Sequence, residues 1–183
     1  RVSMDEPGSG TLVDVRLILG AYGMADKDIK AEYLKPNQAG DKLKDGGLDA
    51  FFFVGGAPAG AIAELASTGN IELVPLVGPE IDALRAKQEF FTPDVIAANT
   101  YQNLPEVKTI SVNAQMVTSA KIPEQTVYDV TRALYSDATR KTLDAGHAKG
   151  KLITRDNAIK GAGIPFHPVS YTHLRAHETL RYL

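Results

Sequence analysis

Residues 7–11, Pro7-Gly8-Ser9-Gly10-Thr11, stand between a strand-like opening and a helix-like run, and they are the segment best suited to chemistry. Glycines let the backbone turn tightly, and the first amides of the helix, with its dipole behind them, make a ready anion site. Ser9 and Thr11 add hydroxyl donors. Polyphosphates do not fit: a dinucleotide fingerprint needs a third glycine where Val13 stands, and no Gly-Lys-Ser/Thr follows for a P-loop. A carboxylate suits so short a nest. The alternative is a plain N-cap, with Ser9 or Thr11 satisfying the helix's own amides.

Gly55-Gly56-Ala57-Pro58 repeats the arrangement one unit later, as a strand end, two glycines and a helix start. Ligands of open α/β sheets bind outside the carboxyl ends of the strands, so the two turns are candidates to face one cleft, with Phe53 beside it. The competing reading gives Gly55 and Gly56 a tight turn only and leaves Phe53 in the core. No catalytic constellation emerges. Ser9 lacks the G-x-S-x-G elbow and no histidine can be assigned as its base. His147 reads as a solvated residue near a helix end, and His167 as a loop residue. His173 and His177 have the i, i+4 spacing of metal ligands, but they fall in a C-terminal stretch read below as foreign.

Composition narrows the classes. The chain has 183 residues, 44% hydrophobic and 23% charged, which suits one folded domain or one domain with part of another. Twenty basic and twenty-two acidic residues give a net charge of −2 with no basic block, which argues against a nucleic-acid partner. There is no cysteine, so disulfides and thiolate chemistry are excluded. No apolar run approaches the roughly 20 residues that span a bilayer. The opening Arg1-Val2-Ser3-Met4 reads as a strand, and the sequence is expected to begin in mid-protein.

The elements that must position these turns alternate at short intervals, the pattern of an α/β fold with a largely parallel or mixed sheet. Strands are expected at residues 1–4, 31–34, 48–54, 71–77, 95–101 and 109–117. The strand at 48–54 carries Phe51-Phe52-Phe53, an unbroken apolar run that predicts cover on both faces. Helices are expected at 12–22, 38–44, 59–67, with Pro58 at the first turn, and 79–86. From residue 122 the chain reads as helical, with Val127, Val130, Ala133 and Leu134 on one face, then helices at 137–147 and 154–159. Residues 169–183 follow no period, and within them Tyr171-Thr172-His173-Leu174-Arg175-Ala176-His177-Glu178-Thr179 resembles a translated sequencing adapter. They are expected to be non-native.

In order, these pieces resemble the TAXI family, the solute-binding proteins associated with TRAP transporters. The resemblance is carried by Arg1-Val2-Ser3 leading into Pro7-Gly8-Ser9-Gly10-Thr11, by Arg16 with Ile18-Leu19, and by Asp28-Ile29 before Glu32-Tyr33-Leu34. It continues in Leu43-Lys44-Asp45-Gly46, Leu48-Asp49-Ala50-Phe51-Phe52, Gly56-Ala57-Pro58 and Ala61-Ile62-Ala63-Glu64-Leu65-Ala66. Leu73-Val74-Pro75-Leu76, Thr100-Tyr101, Val127-Tyr128, Thr131-Arg132-Ala133-Leu134 and Ile164-Pro165-Phe166-His167-Pro168 complete it.

The resemblance implies a type II periplasmic-binding-protein-like α/β fold, with residues 1–104 as a nearly complete second lobe and 105–168 as a crossing strand and helices returning to the first. It further implies an extracytoplasmic subunit without cofactor or catalytic activity. Its partners would be a small carboxylate, such as glutamate or a related dicarboxylate, and the membrane subunits of a TRAP transporter. Gly8, Ser9, Gly10 and Thr11 carry over as the anion-binding turn, and Gly56 and Ala57 as the opposing turn. Phe53, Gly55 and Tyr101 are added by position alone. The rival expectations are an α/β hydrolytic enzyme with Ser9 as nucleophile and a ligand-sensing domain of a signalling protein.

Overall fold

The computed structural model describes residues 1–69, 71–158, 160 and 164–169. Their contacts divide into two units, Arg1–Val112 and Asn113–Leu183. In the first unit β1 (Val2–Ser3), β2 (Ala31–Glu32) and β3 (Ala50–Phe51) form a parallel sheet in the order β2-β1-β3. Val2 lies opposite both Ala31 and Ala50, and Ser3 opposite Glu32 and Phe51. Helix α1 (Gly10–Ala21) joins β1 to β2, and α2 (Pro36–Lys44) joins β2 to β3. The α/β class expected from the alternating pattern is what forms.

α1 begins where Ser9 supplies its side chain as cap. It stays on the sheet through Leu12, Val15, Ile18 and Leu19, spaced to lie on one face. It ends at Gly23, whose φ of 69° lets its N–H reach Gly20 while Met24 N–H reaches Leu19, the paired bonds of a Schellman stop. α2 opens on Pro36, a residue pre-set for a first turn, and stops at Gly46 by the same pair of bonds, to Leu43 and, from Gly47, to Lys42.

Three apolar clusters hold the unit together. Met4, Leu12, Val15 and Leu19 pack beneath α1, with Phe52 against them. Ile18 of α1 meets Ile81 and Leu84 of α4 (Pro79–Lys87) and Phe91, again with Phe52. On the other side Ile62 and Ala66 of α3 (Gly60–Ser67) pack with Tyr101, Phe51 and Phe53. The phenylalanine run therefore serves both faces by strand alternation, as expected. Each fully buried side chain of this size contributes roughly 1.5–3 kcal/mol.

Several strands are shorter than the sequence predicts. Of residues 48–54 only Ala50–Phe51 pair, because β1 offers only Val2 and Ser3 as partners. Residues 71–77 form no strand, and a single bond from Leu76 N–H to the Lys108 carbonyl, 3.1 Å, ties them to the sheet. β4 runs Phe91–Ile96 and pairs antiparallel with β5 (Val107–Val112), so the strand expected at 95–101 begins earlier and Tyr101 falls in the connection. Thr92-Pro93 hides that start in the sequence, yet a proline is tolerated on a strand whose other side has no partner. β5 stops where Val112 meets Phe91, the first residue of β4. The alternation continues to Val117, but Met116 and Val117 are 70% and 65% exposed. Pro58 precedes α3 by two residues instead of lying in its first turn, and its peptide bond to Ala57 is cis.

The second unit is helical among its described residues, as predicted. α5 (Glu124–Leu134) buries Val127 and Thr131, while Val130, expected on the same face, is 45% exposed. Val127 and Thr131 are a full turn apart, and Thr131 Oγ1 donates to the Val127 carbonyl at 2.8 Å, which lets a threonine take the buried place. α6 (Asp137–Gly146) is capped by Ser136. Arg140 then binds the carbonyls of Gly150 and Ile153, clasping a 3-10 turn, Ala148–Leu152, to α6. His147 follows α6 and its Nδ1 accepts the Lys149 N–H at 3.1 Å. The helix expected at 154–159 is a 3-10 turn at Arg155–Asn157, and Ile159 lies outside the described residues. So does the suspected foreign tail from residue 170 onward, with His173 and His177.

Candidate functional site

The strand order marks a topological switch point. From β1 the chain passes to β2 on one side, and from β2 it crosses to β3 on the other. The connections thus diverge between β1 and β3, the switch point beyond whose carboxyl ends ligands of open α/β sheets bind. The two glycine-bearing turns leave these two neighbouring strands at the same edge, one through residues 4–9 and the other through 52–59. Phe52 N–H binds the Ser3 carbonyl at 3.0 Å, locking the two exits together.

At the first turn both readings of the sequence find a place. Ser9 Oγ accepts the Leu12 N–H at 3.1 Å, so the serine is the cap of α1. The N–H groups of Gly10 and Thr11 find no acceptor among the described residues. Gly8 and Gly10 are exposed, Ser9 half-buried and Thr11 8% exposed. Two of the helix's leading amides are therefore left for a guest, with the positive end of the dipole behind them.

At the second turn Gly55 and Gly56 are exposed, and Phe53 and Ala57 are half-buried in one cluster with Tyr101. A Cβ on Gly55 would fall 2.6 Å from the Phe53 ring, so glycine lets the ring fold back over the turn. Tyr101 is 4% exposed and its hydroxyl accepts the Ala59 N–H at 3.0 Å. Its polar atom is thereby spent on the protein's own backbone. The structure thus gathers Phe53, Ala57 and Tyr101, with Gly55 and Gly56 beside them, while Gly8 to Thr11 stand on the adjoining strand's exit.

Sequence reasoning passed over Asp5. It follows β1 directly, with φ at 71°, a left-handed conformation uncommon outside glycine, asparagine and aspartate. The residue as a whole is 9% exposed, and Oδ1 accepts the Glu6 N–H at 2.8 Å. An acid set between a strand and Pro-Gly was the signal available. One turn into α1, burial lifts the Asp14 carboxyl above its usual range.

Among the described residues no three histidine, aspartate or glutamate side chains gather as a metal site. Ser9 Oγ has no described partner but the helix amide. Over residues 1–175 the sequence matches the NMT1-like family. The chain belongs to that family. NMT1-like proteins form a periplasmic solute-binding-like group, which gives this chain a broadly solute-binding role and a small-molecule ligand. Its parallel sheet with flanking helices is consistent with the periplasmic-binding-like fold that goes with the NMT1-like assignment. NMT1-like members are typically periplasmic, and no described helix is long and apolar enough to cross a membrane.

Proposed function

We propose that this chain captures a small carboxylate, such as glutamate or a related dicarboxylate, for a TRAP-type secondary transporter, as a TAXI-like receptor of type II fold that catalyses nothing. Residues 1–104 act as one lobe and residues 105–168 lead to the other. Ligand stabilises the closed state of the receptor, and the membrane subunits recognise that state.

The observation that carries this reading is the pair of free amides, Gly10 and Thr11, at a helix N-terminus beside the switch point between β1 and β3. Gly8 to Thr11 bind the anion. Gly56 and Ala57, with Phe53 and Gly55, wall the other side. Tyr101 holds that wall through Ala59.

A thermal-shift screen of the full chain against amino acids and dicarboxylates tests it. An acid at 100 times its Kd adds about 2.7 kcal/mol to stability. No shift with any acid sinks the proposal. Ser9→Ala separates receptor from hydrolase: a receptor loses affinity, whereas an enzyme loses turnover on a substrate that it still binds.

A further inference from the structure

Arg140 gives its guanidinium to the backbone of the turn that follows α6: Nη2 donates to the Gly150 carbonyl at 2.7 Å and Nη1 to the Ile153 carbonyl at 2.9 Å. The Leu152 carbonyl accepts the Asn157 side-chain amide and the Thr154 N–H, each at 2.9 Å. A Cβ at Gly150 would fall 2.2 Å from the Leu143 carbonyl oxygen, so the turn sits directly against the helix backbone. Its carbonyls at 150, 152 and 153 are thus satisfied by the protein itself. Yet this tightly held turn leaves Leu152 54% and Ile153 40% exposed. Neighbouring aliphatic side chains fixed in solvent are suited to docking, because little remains to be ordered on binding.

Cations adjoin this pair. Lys151 precedes Leu152 and is exposed. Lys160 is exposed as well, and its Nζ donates at 2.9 Å to Asn157 Oδ1, in the same amide group whose nitrogen holds the Leu152 carbonyl. Neither lysine has an ion pair among the described residues, and the Asp144 carboxylate is held by Arg140 at 2.6 Å. Residues 137–160 carry six basic and three acidic side chains in a chain whose net charge is −2. The positive charge is therefore local, and it complements an anionic surface.

The residue types favour lipid over protein as that surface. Protein interfaces are enriched in arginine and aromatic residues and poor in lysine. Here the exposed cations are lysines, Arg140 and Arg155 are spent on backbone carbonyls, and the apolar pair is aliphatic. Leucine and isoleucine can enter the acyl boundary while lysine ammoniums stay among the headgroup phosphates. Carbonyls that are already bonded add little desolvation cost there.

We infer that the turn at residues 148–153, with Lys151 and Lys160, docks this chain on an anionic phospholipid surface through Leu152 and Ile153. The inference is independent of the carboxylate-capture reading.

Co-sedimentation of the full chain with vesicles tests it, comparing phosphatidylcholine alone with an equal mixture of phosphatidylcholine and phosphatidylglycerol. The mixed vesicles should bind the chain about tenfold or more tightly. Lys151→Gln and Lys160→Gln should each weaken that binding about fivefold, and added salt should weaken it further. Leu152→Ser should weaken it about tenfold by removing inserted apolar surface. All three positions are exposed, so Tm should hold in each variant. Equal binding to both vesicle types, binding to neither, or binding that Leu152→Ser leaves intact overturns the inference. Tighter binding to soluble poly-L-glutamate than to the mixed vesicles overturns it too, in favour of an acidic polypeptide.

Discussion

The phenolic oxygen of Tyr101 accepts the backbone N–H of Ala59 at 3.0 Å, and this bond ties the turn after β3 to the connection between β4 and β5. Ala59 precedes the first residue of α3, so its N–H belongs to no helical bond. The Tyr101 ring packs with Ile62 and Ala66 of that helix. One side chain thus fixes both the start of α3 and its seat.

Tyr101→Phe keeps the ring and removes the acceptor. Stability should fall by about 1 kcal/mol in urea denaturation, and the Ala59 amide should exchange faster with solvent. Tyr101→Ala also empties the ring's place, for which a loss of about 3–5 kcal/mol is expected. Equal stability of Tyr101→Phe and wild type would mean that water replaces the bond at no loss.

Ser9→Ala leaves Leu12 N–H without its cap and should destabilise the protein by about 1 kcal/mol, whereas Ser9→Gly should lose only a few tenths. Denaturation midpoints at constant m-value read the difference. If the two variants match, the side-chain oxygen contributes nothing to the helix start.

Asp14 and Asp26 give opposite pH signatures. The Arg16 guanidinium, 2.6 Å away, and the Tyr33 hydroxyl hold the Asp26 carboxyl below its usual range. Its folded value lies below its unfolded one, so its contribution is present above the ordinary carboxylate value and fades as pH falls through the folded value. Asp14 is raised by burial, so folding is least hindered in acid and loses ground as pH rises through the lifted value. Asp14→Asn should therefore stabilise at neutral pH, and Asp26→Asn should destabilise, with the Asp14 difference closing below the ordinary carboxylate range and the Asp26 difference closing only at still lower pH. Added salt should shrink the Asp26 effect, since that pair is exposed. Denaturation at stepped pH checks the signs, and the same sign for both variants contradicts this account.

The helices were legible because their signals are local. Ser9, Pro36 and Ser136 open α1, α2 and α6, while Gly23 and Gly46 close the first two, and each acts within a few residues. Strand ends were not legible, because a strand lasts only as long as its partner. Residues 113–117 alternate correctly yet have no strand opposite them among the described residues, and residues 48–54 meet a β1 of two residues. The two glycine turns of the site were visible as spacing, and their being neighbours followed only from the order β2-β1-β3. Asp5 was invisible as a special residue, since its backbone angle and burial are properties of the folded turn.

The close approach of Phe53 to Gly55 can be measured as a coupling. A methyl at position 55 would lie 2.6 Å from Cζ and 2.7 Å from Cε1 of the ring, far inside contact distance, so Gly55→Ala must displace Phe53 from its cluster with Ile62 and Tyr101. Overpacking of this kind destabilises by about 1–3 kcal/mol. Phe53→Leu removes the part of the ring that the methyl meets, at its own loss of packing. In the double variant the clash is gone, so its total loss should fall short of the sum of the single losses by about 0.5 kcal/mol or more. Strict additivity would mean that the ring swings aside freely, and the turn after β3 would then lack the fixed wall that Phe53 gives it.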